Sequence, residues 1–193
     1  MNDIIKNSFS DHIEIVKAQS SGDSSEVLCS IAERIIGAFK NGKKVIMFGN
    51  GGSAADAQHI AAEFIGRFQQ ERYALPAIAL CTNTSNLTCI SNDYGFEHVF
   101  ERQVEALGKN GDISIGFSTS GGSVNVINAQ KKAKELGLCT VAFIGKKSSP
   151  LESICDIVYK VPSDNTARIQ ESHILASHIL CNVVERSLFK DEN

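Results

Sequence analysis

The chain has 193 residues, 42% of them hydrophobic and 21% charged, enough for one well-cored domain and too few for two large ones. A formal net charge of -3 argues against general nucleic-acid binding. No apolar run is long enough to span a bilayer, and Met1-Asn2-Asp3-Ile4-Ile5-Lys6 lacks the apolar core of a signal peptide, so the expectation is a cytoplasmic protein without a membrane partner.

Asp3 can cap a first helix whose apolar positions, Ile5, Phe9, Ile13 and Val16, recur at helical spacing until Ser20-Ser21-Gly22 breaks it. Ser24 starts a second helix with Val27, Leu28, Ile31, Ile35 and Phe39 on one side, stopped at Asn41-Gly42. Two helices before the first strand are more than a minimal α/β sheet needs. Residues 1–42 therefore read as a helical oligomerisation segment, with a packed surface helix as the plain alternative for the first of them. Residues 43–193 read as the α/β core of a single domain.

Val45 to Phe48 suits a buried strand, Gly49, Gly51 and Gly52 form a loop, and Ser53 is placed as the N-cap of a helix from Ala54 onward. Tyr73-Ala74-Leu75-Pro76 leads into a second strand, Ala77 to Leu80. Helical pieces around Ser85 to Ile90 and Phe96 to Leu107 flank a loop, Ser91-Asn92-Asp93-Tyr94-Gly95. A turn at Gly108 to Asp112 introduces a third strand, Ile113 to Phe117, followed by Ser118-Thr119-Ser120-Gly121-Gly122-Ser123 and an amphipathic helix to about Leu136. Cys139 to Ile144 and Asp156 to Val161 read as the fourth and fifth strands, and a last helix runs from about Thr166 to Phe189. Strands alternating with helices indicate a parallel sheet covered on both faces. The six cysteines show no metal-finger or thioredoxin-like spacing, and since several lie in apolar runs they read as buried free thiols in a reducing cytosol.

Two loops carry chemistry. Gly49 to Ser53 lets backbone amides and a helix N-terminus face an anion or a polyhydroxylated ligand, and His59 and Glu63 follow on one helix face. The plain alternatives are a tight turn and a solvated ion pair. Gly49, Gly51 and Ala54 also fit a dinucleotide fingerprint, but the second strand ends in Cys81-Thr82-Asn83 where that fold wants an acidic residue. Ser118 to Ser123 offers four hydroxyls and two glycines between a strand and a helix, which suits a phosphate, and it has no Walker lysine. A strand order of 2-1-3-4-5, flavodoxin-like, would set these two loops side by side.

Gly-Asn-Gly-Gly-Ser at 49–53, Gln-His at 58–59, Glu63, Gly-Arg at 66–67, Asn-Asp-Tyr-Gly-Phe at 92–96, Ser-Thr-Ser-Gly at 118–121 and Arg-Ile-Gln-Glu at 168–171 resemble the sedoheptulose 7-phosphate isomerases, or phosphoheptose isomerases, of the sugar isomerase (SIS) family. The resemblance covers nearly the whole chain. It implies a cytoplasmic homotetramer that converts sedoheptulose 7-phosphate into D-glycero-D-manno-heptose 7-phosphate, the first step toward nucleotide-activated heptose for bacterial surface polysaccharide such as lipopolysaccharide. Carried over by position, Ser118, Thr119, Ser120 and Ser123 hold the phosphate with Ser53 nearby. Asn50, Gly51, Gly52, Asn92 and Asp93 contact the sugar, with Arg67, Glu63 and Gln170 as further substrate contacts. His59, Glu63, Gln170 and His178 match the zinc positions, one ion per subunit, and Glu63 and His178 the acid–base pair. Ala167 stands where the family often has an acidic residue.

The residue types suit this chemistry independently. Ketose–aldose isomerisation passes through an enediol(ate), needs a carboxylate base and a second proton carrier, and gains from a cation near the sugar oxygens. Two other SIS classes share the fold: a non-catalytic tetramer that binds the replication initiator, and a regulatory sugar-phosphate-binding domain. As understood, the first lacks the residues matching Glu63 and His178, and no DNA-binding segment accompanies this sequence. Gln170 and His178 raise a geometric problem. On one straight helix they lie about 12 Å apart along the axis and roughly 80° apart around it. That separation favours a site shared between subunits, with Glu63 from one chain and His178 from another.

Overall fold

The computed structural model describes residues 1–189; residues 190–193, the end of the expected core segment, lie outside the described residues. Five strands, β1 (Val45–Gly49), β2 (Ala77–Ala79), β3 (Ile113–Ser118), β4 (Cys139–Ile144) and β5 (Ile157–Lys160), form one sheet. All pairs are parallel and the order is β2-β1-β3-β4-β5, as expected from the placement of the two loops. Eight α-helices accompany them: α1 (Asn2–Ser21), α2 (Ser24–Lys40), α3 (Gly52–Ile65), α4 (Thr84–Tyr94), α5 (Glu101–Leu107), α6 (Val124–Glu135), α7 (Leu151–Ile154) and α8 (Thr166–Leu188).

The two-residue period of the strands divides the core. Val45 and Met47 of β1, Ile113, Ile115 and Phe117 of β3, and Val141 and Phe143 of β4 pack on one face with α2, α3 and α8. Ile46 and Phe48, with Ala142 and Ile144, face the other side, toward Val104 of α5 and Val126, Ala129 and Ala133 of α6. Burial on both faces is why these strands read as continuous apolar runs. Gln130 secures α6 to the sheet: its side chain accepts from Ser114 Oγ at 3.0 Å and donates to the Val141 carbonyl at 2.8 Å. Asp112 does the same for the turn before β3, accepting from the Lys44 and Lys109 amides and the Lys44 ammonium.

Several boundaries depart from the sequence reading. α3 begins at Gly52 with Gly51 in the cap position, so Ser53 lies buried in the first turn rather than capping it. Residues 91–94 continue α4 instead of forming a loop; Asn83 accepts the Asn86 amide and starts the helix early, and Gly95 at φ +94 ends it. A short 3-10 turn, Phe96–His98, separates α4 from α5. α7, opened by Pro150, had no periodic signal in four residues. α1 presents Ile4, Ile5, Phe9 and Ile13 to solvent, each at least half exposed, so its apolar stripe is not packed within the chain. All six cysteines are free, but only Cys155 and Cys181 are buried, while Cys29 and Cys89 are exposed on helix surfaces. Among the described residues no helix is long and apolar enough to cross a membrane.

His173 of α8 is fully buried against Phe117 and Phe143, its Nε2 3.3 Å from the Ile144 carbonyl. Burial disfavours its charged form and pushes its pKa from 6.5 down to about 4. As the pH falls through 6.5 the unfolded chain takes up this proton first, so stability is lost between about pH 6.5 and 4, on the order of 3 kcal/mol in all. Thermal melts at pH 7.5 and 5 should therefore differ less in His173→Gln than in wild type. Asp56, whose carboxyl burial pushes up to about 6, acts in the opposite sense in both proteins. An unchanged pH dependence in the variant would contradict this assignment.

Candidate active site

β1 and β3 are neighbours, with Gly49 opposite Phe117, so the loops that follow them emerge side by side at the carboxyl edge of the sheet. Their connections go to opposite faces, α3 to one and α6 to the other. The crevice between is bridged by two amides: Asn50 and Asn125 exchange reciprocal hydrogen bonds of 2.9 Å. Asn50 was a sequence candidate; Asn125 was not. Its signal is a reversal of pattern in the first turn of α6, where Val124 is exposed and Asn125 is buried.

In the second loop Ser118 Oγ and Ser123 Oγ lie 2.9 Å apart, and Ser123 stands at the cap position of α6 without capping it through its side chain. Ser120 Oγ accepts the Gly122 amide, and the Thr119 carbonyl accepts the Gly145 amide. Gly121 adopts φ +68, and a Cβ there would lie 2.6 Å from that of Ser149, so this turn requires glycine. The result is a Ser118–Ser123 hydroxyl pair in a loop that leads into a helix N-terminus, an arrangement suited to an anion.

α8 lies beside α3 and runs in the same direction. Gln170 meets its start: a Cβ on Gly52 would lie 2.5 Å from the Gln170 amide nitrogen. Farther along, His178 Nε2 is 3.0 Å from His59 Nε2, which is 3.1 Å from Glu63 Oε1. One ligand atom from each of His59, Glu63 and His178 falls within 4.8 Å of the others, in a single chain. The expectation that Glu63 and His178 come from different chains is thus corrected. The axial offset between Gln170 and His178 is real, but α3 supplies partners at matching offsets, Gly52 for one and His59 for the other.

The donor set fits a divalent ion. Two imidazoles and a carboxylate are ordinary zinc ligands, and tetrahedral ligands at zinc distances stand about 3.3 Å apart. Two Nε2 atoms facing each other can share at most one proton, and a cation between them would satisfy both. Asp56, one turn before His59, was missed by the sequence reading; its Oδ2 is buried without a hydrogen-bond partner. Phe68, also missed, stacks on His178 with ring centroids 5.7 Å apart. Arg67, Asn92 and Asp93 are exposed and engaged locally, Arg67 3.7 Å from Glu71 and Asn92 donating to Asp93 at 2.8 Å.

Residues 8–145 match the SIS domain. A phosphoheptose isomerase of Clostridium acetobutylicum is 53% identical over 176 residues, covering 91% of this chain and 90% of the relative. The chain belongs to the phosphoheptose isomerase family. Accordingly it is an isomerase enzyme, which sets aside the non-catalytic SIS reading. The structures of phosphoheptose isomerases from Neisseria gonorrhoeae and Francisella tularensis superpose with TM-scores of 0.90 and 0.92, at 41% and 35% identity. Each covers 95% of this chain, and the matched parts are 98% and 97% of theirs.

Asn125 gives this isomerase a test of its two-loop crevice. Asn125→Ala leaves the part-buried Asn50 amide without its partner, a loss of about 1–3 kcal/mol. Steady-state kinetics should show KM raised about tenfold or more, and the melting temperature should fall by about 2–4 °C for each kcal/mol lost. An unaltered KM would show that the amide pair does not shape the substrate crevice.

Proposed function

We propose that the enzyme interconverts sedoheptulose 7-phosphate and D-glycero-D-manno-heptose 7-phosphate in the cytoplasm, supplying heptose for bacterial surface polysaccharide. The observation that carries this reading is the convergence of His59, Glu63 and His178 in one chain, on two helices whose first turns meet through Gly52 and Gln170 near the crevice that Asn50 and Asn125 bridge. The loop of Ser118, Thr119, Ser120 and Ser123 binds the phosphate through its hydroxyls and the amides at the start of α6, with Ser53 nearby. Asn50, Gly51, Gly52 and Gln170 orient the open-chain sugar at the start of α3, and Arg67, Asn92 and Asp93 are assigned to substrate from the outer edge.

In this reaction Glu63 removes the proton from the carbon next to the carbonyl and returns it to the neighbouring carbon. His178 moves protons at the sugar oxygens while its Nε2 is free of the ion, since an imidazole nitrogen can donate or accept a proton. Glu63 Oε1 is turned toward His59, which leaves Oε2 to take the proton. Zinc held by His59, Glu63 and His178 would stabilise negative charge on the sugar oxygens.

The same reading includes a homotetramer with the site at a subunit interface, residues 1–42 serving as the oligomerisation segment of a single SIS domain. Leu175, Ile179 and Val183 form an exposed stripe on α8 around His178, and α1 exposes Ile4, Ile5, Phe9 and Ile13. Gln170, packed against Gly52 of its own chain, is assigned as the fourth zinc position of this assembled site.

Turnover of sedoheptulose 7-phosphate, followed by NMR, tests the proposal. Conversion should be rapid, the unphosphorylated heptulose should not react, and Glu63→Gln should lower kcat by at least about 10²-fold with modest change in KM. Equal use of both sugars would overturn the phosphate assignment. Near-normal turnover in Glu63→Gln would move the base elsewhere.

A further inference from the structure

The segment after α3 is fastened by a buried ion pair that the chemistry above does not use. The side chains of Arg72 and Glu185 are only 1% and 2% exposed, with Arg72 Nε 2.9 Å from Glu185 Oε2. Glu185 also accepts the amides of Phe68, Gln69 and Gln70 at 3.0, 2.7 and 2.8 Å. Arg72 also donates from Nη2 to the Glu63 carbonyl at 2.7 Å and from Nη1 to the Phe64 carbonyl at 2.8 Å, both at the end of α3, and from Nη1 to the carbonyls of Gly66 and Tyr73 beyond it. The Glu63 and Phe64 carbonyls are among those a helix end leaves without partners. A buried pair satisfied on all sides in this way specifies geometry more than it adds stability.

What the pair delivers is the ring of Phe68. Glu185 lies two turns beyond His178 on the same side of α8, so gripping the Phe68 amide sets that ring over the imidazole. The rings lie 25° from parallel, while His59 meets the imidazole edge-on at 4.9 Å. We propose that Phe68 is a positioning residue for the isomerase: its ring is a wall that holds the His178 imidazole plane so that Nε2 faces His59 and Glu63. The proposal rests on the reading of His178 as metal ligand and proton carrier. A half-buried histidine on a helix has several accessible rotamers, and the one observed presents Nε2 to His59. Arg72 and Glu185 act one step further back, by holding the wall in place.

Phe68→Leu keeps most of the apolar volume and removes the flat face; Phe68→Tyr keeps the face. Phe68 is partly exposed, so both variants should fold. Each is assayed as full-length enzyme for kcat and KM with sedoheptulose 7-phosphate. The affinity for Zn²⁺ is measured by calorimetry on metal-stripped protein, with a thermal melt alongside. In Phe68→Leu, kcat should fall about tenfold and Zn²⁺ affinity about tenfold, with KM little changed, and Phe68→Tyr should restore both. Unchanged kcat and Zn²⁺ affinity in Phe68→Leu, whatever its melting temperature, would overturn the proposal. So would a Phe68→Tyr variant as impaired as Phe68→Leu. Wild-type enzyme that binds no Zn²⁺ while Phe68→Leu still loses kcat, with rescue by tyrosine, removes the metal reading and leaves the positioning role supported. If wild type binds Zn²⁺ but does not turn over this sugar, the substrate assignment fails and the binding measurement decides the role of Phe68 by itself.

Discussion

Packing of α8 beside α3, in the same direction and on one face of the sheet, is the contact on which the site depends. Neither helix holds a reactive group of much use alone: α3 carries an i,i+4 histidine–glutamate pair, and α8 carries a glutamine and a histidine eight residues apart. Side by side they match in pairs, Gln170 with Gly52 and His178 with His59. The packing is apolar where it is deep, with Ala57, Ile60, Ala61 and Phe64 of α3 in the same core as Ile169, Ala176, Leu180 and Cys181 of α8. Small residues at 57, 61 and 176 let the helices approach closely enough for half-exposed polar side chains to meet at the rim.

The sheet sets the other half of the geometry. In a parallel sheet the crossovers are right-handed, and starting in the middle sends the chain to one side and then the other. β1 and β3 are the neighbours at which that reversal occurs, and a crevice opens at their carboxyl ends. The glycine loop supplies one wall and the hydroxyl loop the other. Asn50 and Asn125 close the distance between them through an amide pair that leaves neither side chain idle.

Much of this was legible in the sequence because burial on both faces makes strands conspicuous. β4 was placed to the residue, and the strand order followed from asking which arrangement would unite the two unusual loops. The helices were less legible at their ends. Ser91-Asn92-Asp93 has the composition of a loop, yet α4 runs through it because Asn83 caps the start and nothing before Gly95 forces an exit. Ser53 has the chemistry of an N-cap, but Gly51 already occupies that position with a backbone that glycine tolerates. Helix arithmetic separated Gln170 from His178 correctly. The inference drawn from it, that Glu63 and His178 belong to different chains, failed because sequence alone does not show that a second helix runs alongside with matching offsets. Phe68, Arg72 and Glu185 were silent for a similar reason, since their roles exist only across more than 100 residues of chain.

The central claim is that His59, Glu63 and His178 act within one chain, and subunit mixing tests it most directly. Glu63→Gln and His178→Ala chains would be co-expressed with different tags, and the doubly tagged assemblies purified and assayed for isomerisation. Every site built within one chain then lacks one of the two groups, so the account predicts that the mixed assemblies stay as inactive as either parent. A return of activity toward a quarter or more of the wild-type level, roughly what random assortment of separate half-sites would give, would show that Glu63 and His178 meet across an interface and would contradict the account.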